Sequence, residues 1–185
     1  MKNKIYGLKM EVAVTAQPPY FCTHVSVAVP GAVHDFELFK RGFQQYLNYL
    51  TKLPAEHAAL YGDQMSRYWA LLCDKGYIGP EASSPDVRHF CPVRDPWTHH
   101  DRALNVLISQ ARVHVERYFG RFYCLFSIFR NCYHWSHTHF DNDFLICCRL
   151  TNESLLRMAL EELDGRFYIS MLEKRVRDFE ETERK

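Results

Sequence analysis

The stretch Arg67 to Cys73 (RYWALLC) is a short, unbroken apolar run that stops at Asp74-Lys75-Gly76-Tyr77. With no polar face, it reads as a strand buried on both sides. Such a strand needs helices above and below it, which commits the chain to a mixed sheet with helices packed against it, α/β or α+β. The rest of the pattern agrees. Lys4 to Thr15 alternates, with Leu8, Met10, Val12 and Val14 on one side and Lys9 and Glu11 on the other, the period of a half-buried strand. Gln17-Pro18-Pro19 breaks it. Tyr20 to Val29 is a second β-rich run closed by Pro30-Gly31, so the two are expected to pair antiparallel.

From Asp35 the period becomes helical, with Phe36, Phe39, Phe43, Leu47 and Leu50 at three- and four-residue steps. Pro54 is placed to open a short helix near 55–61. Pro80 to Pro85 reads as a loop and Arg88 to Val93 as another short strand. A long helix is expected from Arg102 towards Phe129, capped by Thr98 or Asp101. A last helical stretch, about Phe140 to Leu163, precedes a charged tail whose Phe167, Met171, Val176 and Phe179 make it amphipathic.

At 185 residues and 21.9 kDa the chain is the size of one domain, large enough to bury a core without disulfide staples. Its composition, 47 % hydrophobic and 24 % charged, excludes a disordered tail, a collagen or a coiled-coil rod. No apolar stretch approaches the ~18 residues of a membrane helix, and the start lacks a signal-peptide core, so a soluble, untargeted chain is expected. The seven cysteines (22, 73, 91, 124, 132, 147 and 148) show no CxxC spacing and read as reduced thiols of an intracellular protein. Net charge is +1, which gives no overall case for a polyanionic partner. Between Arg88 and Arg130, however, seven arginines face only Asp95, Asp101 and Glu116, so a polyanion would be met there.

Two acids stand out. Asp74 directly follows the apolar strand, the end of a sheet at which open α/β folds bind ligands; aspartate is also an ordinary turn former before Lys-Gly. Glu116 is the only acid between Arg102 and Phe129; an i, i+4 ion pair with Arg112 is the plain alternative. Brought together, two such carboxylates suit divalent metal, because Mg²⁺ takes hard oxygen ligands and keeps its remaining positions for water and phosphate. Two ions about 4 Å apart can activate an attacking oxygen and stabilise a leaving one. Arginines beside Glu116 would then meet a DNA backbone.

Other constellations are weaker. Cys132, His134, His137 and His139 (CYHWSHTH) match no standard zinc finger and read as a loop with Trp135 packed. Cys73 reads as a buried thiol of raised pKa. No GxSxG or phosphate-cradling GxxxxGK[ST] motif occurs. The aromatics Tyr118, Phe119, Phe122, Tyr123, Phe126 and Phe129 read as core rather than base-stacking platform.

Four blocks in order, VSVAVPGAVHDFELF, LLCDKGYIG, NVLISQARVHVERYFGRFYCLF and ICCRLTNESL, resemble the DDE endonuclease domain of Harbinger-type transposases and their domesticated relatives. The first matches that family's PGS-x-hD stretch with Ala32 in place of Ser, and the resemblance covers about residues 4–152. It implies a ribonuclease H-like fold, two Mg²⁺ (or Mn²⁺) ions, and DNA strand cleavage by water followed by transfer of the freed 3′ hydroxyl. Asp74 then matches the second catalytic Asp and Glu116 the third carboxylate. Lys75, Arg112, Arg117 and Arg121 would be DNA-backbone contacts. The family's first catalytic Asp lies on a strand ahead of the segment matching KIYGLKMEVAVT, where this chain has only Met1-Lys2-Asn3. The expectation is therefore an amino-terminally truncated domain over 1–163, lacking its first strand and first metal ligand, with a helical tail over 164–185.

Without the resemblance, Asp35, Asp74 and Glu116 would be nominated as the triad. The match instead sets Asp35 apart as a helix cap or a group that supports the ligands from behind, with direct metal ligation the alternative. Two carboxylates neutralise only half the charge of a two-ion centre, so weak Mg²⁺ binding and poor cleavage are expected. The resemblance further implies a nuclear location and a separate Myb-like partner for DNA recognition, consistent with the lack of a helix-turn-helix segment. The competing readings are a non-catalytic DNA- or protein-binding remnant of a transposase, and an ordinary α/β domain whose acids are structural.

Overall fold

The computed structural model describes residues 7–58, 67–74, 77 and 87–183. It is a mixed α/β structure of helices and small sheets. Two compact units share it: Met1–Glu11 with Ser26–Gln110, and Val12–Val25 with Ala111–Lys185.

In the first unit, β1 (Leu8–Lys9) pairs antiparallel with β4 (Val29–Pro30), Leu8 opposite Pro30. Helix α1 (Asp35–Leu50) starts where the phenylalanine period begins and buries Leu38, Phe39 and Tyr46. Phe39 is its centre, with the rings of Phe43, Tyr46, Tyr77 and His89 at centroid distances of 5.2–6.1 Å. Full burial of one such ring is worth about 1.5–3 kcal/mol. A short α2 (Pro54–Ala58) follows, opened by its proline.

The apolar run that carries Asp74 forms β5 (Leu71–Leu72), parallel to β6 (His89–Phe90), and the ladder continues as Cys73 N–H donates to the Phe90 carbonyl at 2.9 Å. Ahead of β5, Tyr68 bridges Thr51, and Trp69 N–H donates to the Leu50 carbonyl at 2.8 Å. The run is not buried on both faces as its sequence predicts. Trp69 and Leu72 are 39 % and 42 % exposed while Cys73 is buried; Trp69 lies under the Lys52 ammonium, and its ring N–H donates to Glu56 of α2 at 3.4 Å. The expected loop Pro80–Pro85 lies outside the described residues.

Helix α3 (His99–Leu125) belongs to the first unit up to Gln110 and to the second beyond it. Its start is a reciprocal cap: Thr98 Oγ1 accepts from Asp101 N–H at 3.0 Å and Asp101 Oδ2 accepts from Thr98 N–H at 3.1 Å. Both predicted cap residues therefore serve. Asn105 pins the preceding loop through both Val93 backbone groups, at 2.8 and 3.0 Å.

The second unit opens with an antiparallel hairpin of β2 (Val12–Val14) and β3 (Cys22–Val25). Its turn contains a cis Pro18–Pro19 bond and Tyr20 at φ 63°, an uncommon conformation for a bulky residue. The Tyr20 ring stacks on His114 at 3.9 Å. The predicted helix to Phe129 stops at Leu125 and resumes as α4 (Ser127–Arg130). The break is held by guanidinium groups: Arg130 donates to the Tyr123 and Cys124 carbonyls, and Arg175 to those of Phe129 and Arg130. A short 3₁₀ turn, His137–His139, leads into α5 (Phe140–Arg157), and α6 (Glu162–Glu183) closes the chain. Trp135, expected to pack, is 65 % exposed. Tyr118, Phe122, Phe129, Phe144, Cys148, Thr151 and Leu155 form the core, so the aromatic run is packing, as its all-round apolar helix indicates.

Helices α3 and α6 cross at two glycines. A Cβ on Gly120 would stand 1.7 Å from the Asp164 carbonyl oxygen, and one on Gly165 would stand 3.3 Å from Arg117 Cγ. Only hydrogen at position 120 lets the two backbones approach this closely.

Candidate functional site

Asp74 lies at the carboxyl end of the parallel pair β5–β6, one residue past the last ladder hydrogen bond, and is exposed. Its carbonyl accepts from Tyr77 N–H at 3.0 Å. The neighbouring Cys73 thiol is pushed up to about 12, chiefly by burial, then by Cys91 and by the Glu11 and Asp74 charges. It is the inert structural thiol that its sequence context indicates. Lys75 lies outside the described residues.

Asp35 belongs to the same unit. The cap of α1 is not Asp35 but His34, whose Nδ1 accepts from Phe36 N–H at 3.3 Å. Asp35 occupies the first turn and pairs with Lys9 Nζ at 2.8 Å, and the same ammonium donates to the Val33 carbonyl at 2.8 Å. A carboxylate held this way ties strand β1 to the helix entrance.

Sequence reasoning missed Glu11. Its place in the alternation predicts an outward charge, yet it is only 6 % exposed. Tyr46 of α1 donates to its carboxylate. Burial raises the Glu11 carboxyl above its ordinary value, the hydroxyls of Tyr46 and Tyr77 pull it back, and the Asp35 charge adds to the rise. The two tyrosines are held up in turn, first by burial and then by Glu11. The signal was present in the sequence only as tyrosines at 46 and 77, with nothing to say that they converge.

Glu116 lies on the part of α3 that belongs to the second unit and is half-buried. It takes part in none of the ion pairs among the described residues, and its charge adds to the burial that raises the Tyr168 hydroxyl. Arg112 and Arg117 share this helix and are also half-buried, the Arg117 stem resting against Gly165. Arg121 corrects the expectation of a DNA contact. It is 7 % exposed and forms a two-pronged pair with Asp164, Nε to Oδ1 and Nη2 to Oδ2 at 2.9 Å each. Its remaining donors go to the Met158 and Ala159 carbonyls at 3.2 and 3.1 Å. Its guanidinium is committed to joining α3 to the start of α6.

Asp74 and Glu116 supply the hard oxygen donors that Mg²⁺ or Mn²⁺ takes. Among the described residues, no three or more His, Cys, Asp or Glu side chains gather into a metal-binding group. None of the described helices is long and apolar enough to cross a membrane.

The described part of the chain is thus a mixed α/β structure with an exposed aspartate at the end of a parallel strand pair in one unit and a glutamate on an arginine-bearing helix in the other. The chain belongs to the DDE superfamily endonuclease family, which it matches over residues 1–152. Comparison with curated proteins and with solved structures gives no match.

Proposed function

We propose that this protein is a transposase-derived nuclease domain of the Harbinger type, with a ribonuclease H-like core, that acts on DNA phosphodiesters in the nucleus. The observation that carries the reading is the family match over residues 1–152, with Asp74 exposed at the end of the β5–β6 pair. Asp74 and Glu116 are the carboxylates that would hold divalent cations, which in such sites activate an attacking oxygen and stabilise a leaving one. Each of these carboxylates would offset part of the charge of such ions, and DNA phosphate would add to that balance. Arg112 and Arg117, on the face of α3 beside Glu116, and Lys75, beside Asp74, are the backbone contacts. A Myb-like partner would supply sequence recognition.

The test is a nicking assay on supercoiled plasmid with Mg²⁺ or Mn²⁺. Metal-dependent nicking is expected. Asp74→Asn and Glu116→Gln should each reduce it more than about 100-fold, since even residues behind metal ligands are worth roughly 10- to 100-fold. Asp35→Ala should leave it within a few-fold. DNA binding with no metal-dependent nicking would replace this reading by that of a non-catalytic remnant.

A further inference from the structure

Within the second unit, α4 and α6 border a pocket of about 230 Å³ that the nuclease reading does not use; its walls include Arg130, Phe167, Met171, Lys174, Arg175 and Asp178. Three of these side chains are cations and one is a carboxylate, a surplus of two positive charges. Both guanidinium groups are set in place by uncharged acceptors. Arg130 donates to the Tyr123 and Cys124 carbonyls at 3.1 and 3.0 Å and lies over the Phe167 ring, 5.5 Å from its centroid. Arg175 donates to the Phe129 and Arg130 carbonyls at 2.6 and 3.0 Å and lies over the Tyr123 ring at 5.2 Å. Carbonyl oxygens and aromatic faces orient a guanidinium without cancelling its charge, so both reach the pocket fixed and cationic. Lys174 is exposed, and Phe167 and Met171 supply apolar wall. All but Arg130 belong to α6, past the residues that the family match covers.

We propose that this pocket binds a nucleotide through its phosphomonoester, the group carried by a free mononucleotide and by the 5′-phosphorylated end of a DNA strand. A phosphomonoester carries a charge of about −1.5 to −2 near neutral pH, against about −1 for each phosphodiester along a strand. The terminal group therefore matches the surplus of two positive charges. Its three oxygens take several donors at once, and arginine presents paired donors in the geometry that such oxygens accept. Because carbonyls already hold both guanidiniums, binding orders few further rotamers. A volume of about 230 Å³ lies below the roughly 300–1,000 Å³ of a drug-sized site, so the pocket admits one terminal nucleotide and not a duplex. The sugar and base would lie against Phe167 and Met171. Asp178 opposes the anion and limits its affinity.

The experiment uses the full chain in EDTA, so its outcome stands apart from metal-dependent nicking. Fluorescence anisotropy compares a short 5′-phosphorylated single strand with the same strand ending in a 5′ hydroxyl, and calorimetry compares dAMP with deoxyadenosine. The phosphorylated member should bind roughly tenfold more tightly or better, the worth of one charge-assisted hydrogen bond. Preference in the strand pair assigns the pocket to DNA ends, and preference in the mononucleotide pair alone assigns it to free nucleotides. Lys174→Gln should weaken the preference and Asp178→Asn should strengthen it, a gain that a poorly folded variant would not give. No preference in either pair would overturn the proposal, as would a preference that neither substitution changes.

Discussion

Replacing Gly120 by alanine sets two opposed effects against each other, and the structure decides between them. In an isolated helix the change would stabilise by about 1 kcal/mol, the difference in intrinsic propensity. Here the added Cβ would stand 1.7 Å from the Asp164 carbonyl oxygen and 2.4 Å from its carbon, against the 3.0 Å that real Cβ contacts respect. The obstacle is backbone, so α6 must retreat by more than an ångström. That retreat pulls Asp164 from Arg121, whose two 2.9 Å contacts have no slack. Breaking a buried pair costs about 3–5 kcal/mol and overpacking alone about 1–3 kcal/mol. A partial loss of the first, set against the propensity gain, leaves a net destabilisation of about 2–4 kcal/mol, or roughly 5–15 °C in Tm for a chain of this size. Urea and thermal unfolding followed by far-ultraviolet circular dichroism measure it directly. An alanine variant as stable as the parent would mean that α6 does not dock on Gly120 at this distance, and the account of Arg121 would fall with it.

Two further perturbations test other parts of the architecture. The raised Glu11 carboxyl means that the native state keeps a proton the unfolded chain has released, so Glu11 favours folding most below its ordinary value of 4.5, and that contribution fades as pH rises through the higher native value. Glu11→Gln keeps an acceptor for Tyr46 and removes the titration, so its stability should fall less than the parent's as pH rises above 4.5 in denaturant titrations; parallel curves would refute the buried-carboxyl account. Thr98→Ala removes one half of the reciprocal cap of α3 and should cost about 1 kcal/mol in the same assay, with no loss there showing that the cap does not hold the helix start in solution.

The sequence pattern was most informative where a period ran long. The phenylalanine spacing from Phe36 to Leu50 marks α1 to its end residue, and Thr98 and Asp101 mark the start of α3, because helix signals are local and repeat. It was least informative where partners are far apart in the chain. Nothing around Glu11 announces Tyr46, and nothing around Arg121 announces Asp164, so one residue read as an outward charge and the other as a DNA contact. Gly120 carried the clearest unread mark: a glycine inside a strong helical pattern signals close backbone approach. Of the two acids singled out, Asp74 was legible because a strand end is a local feature. The companions of Glu116 depend on long-range packing that no spacing encodes.

Asn152 of α5 clamps Cys22 of β3 by both of its backbone groups, accepting from the N–H and donating to the carbonyl at 2.9 Å each, and this clamp bears on the order in which the chain can assemble. Its two halves are 130 residues apart, and at ribosomal speeds of about 5–20 residues per second the asparagine is added roughly 7–26 s after the cysteine it will hold. Throughout that interval the early hairpin has been synthesised without its fastener. A nascent chain built this way must carry a provisional β-segment until late in translation, and contacts of such long span are the ones that slow folding.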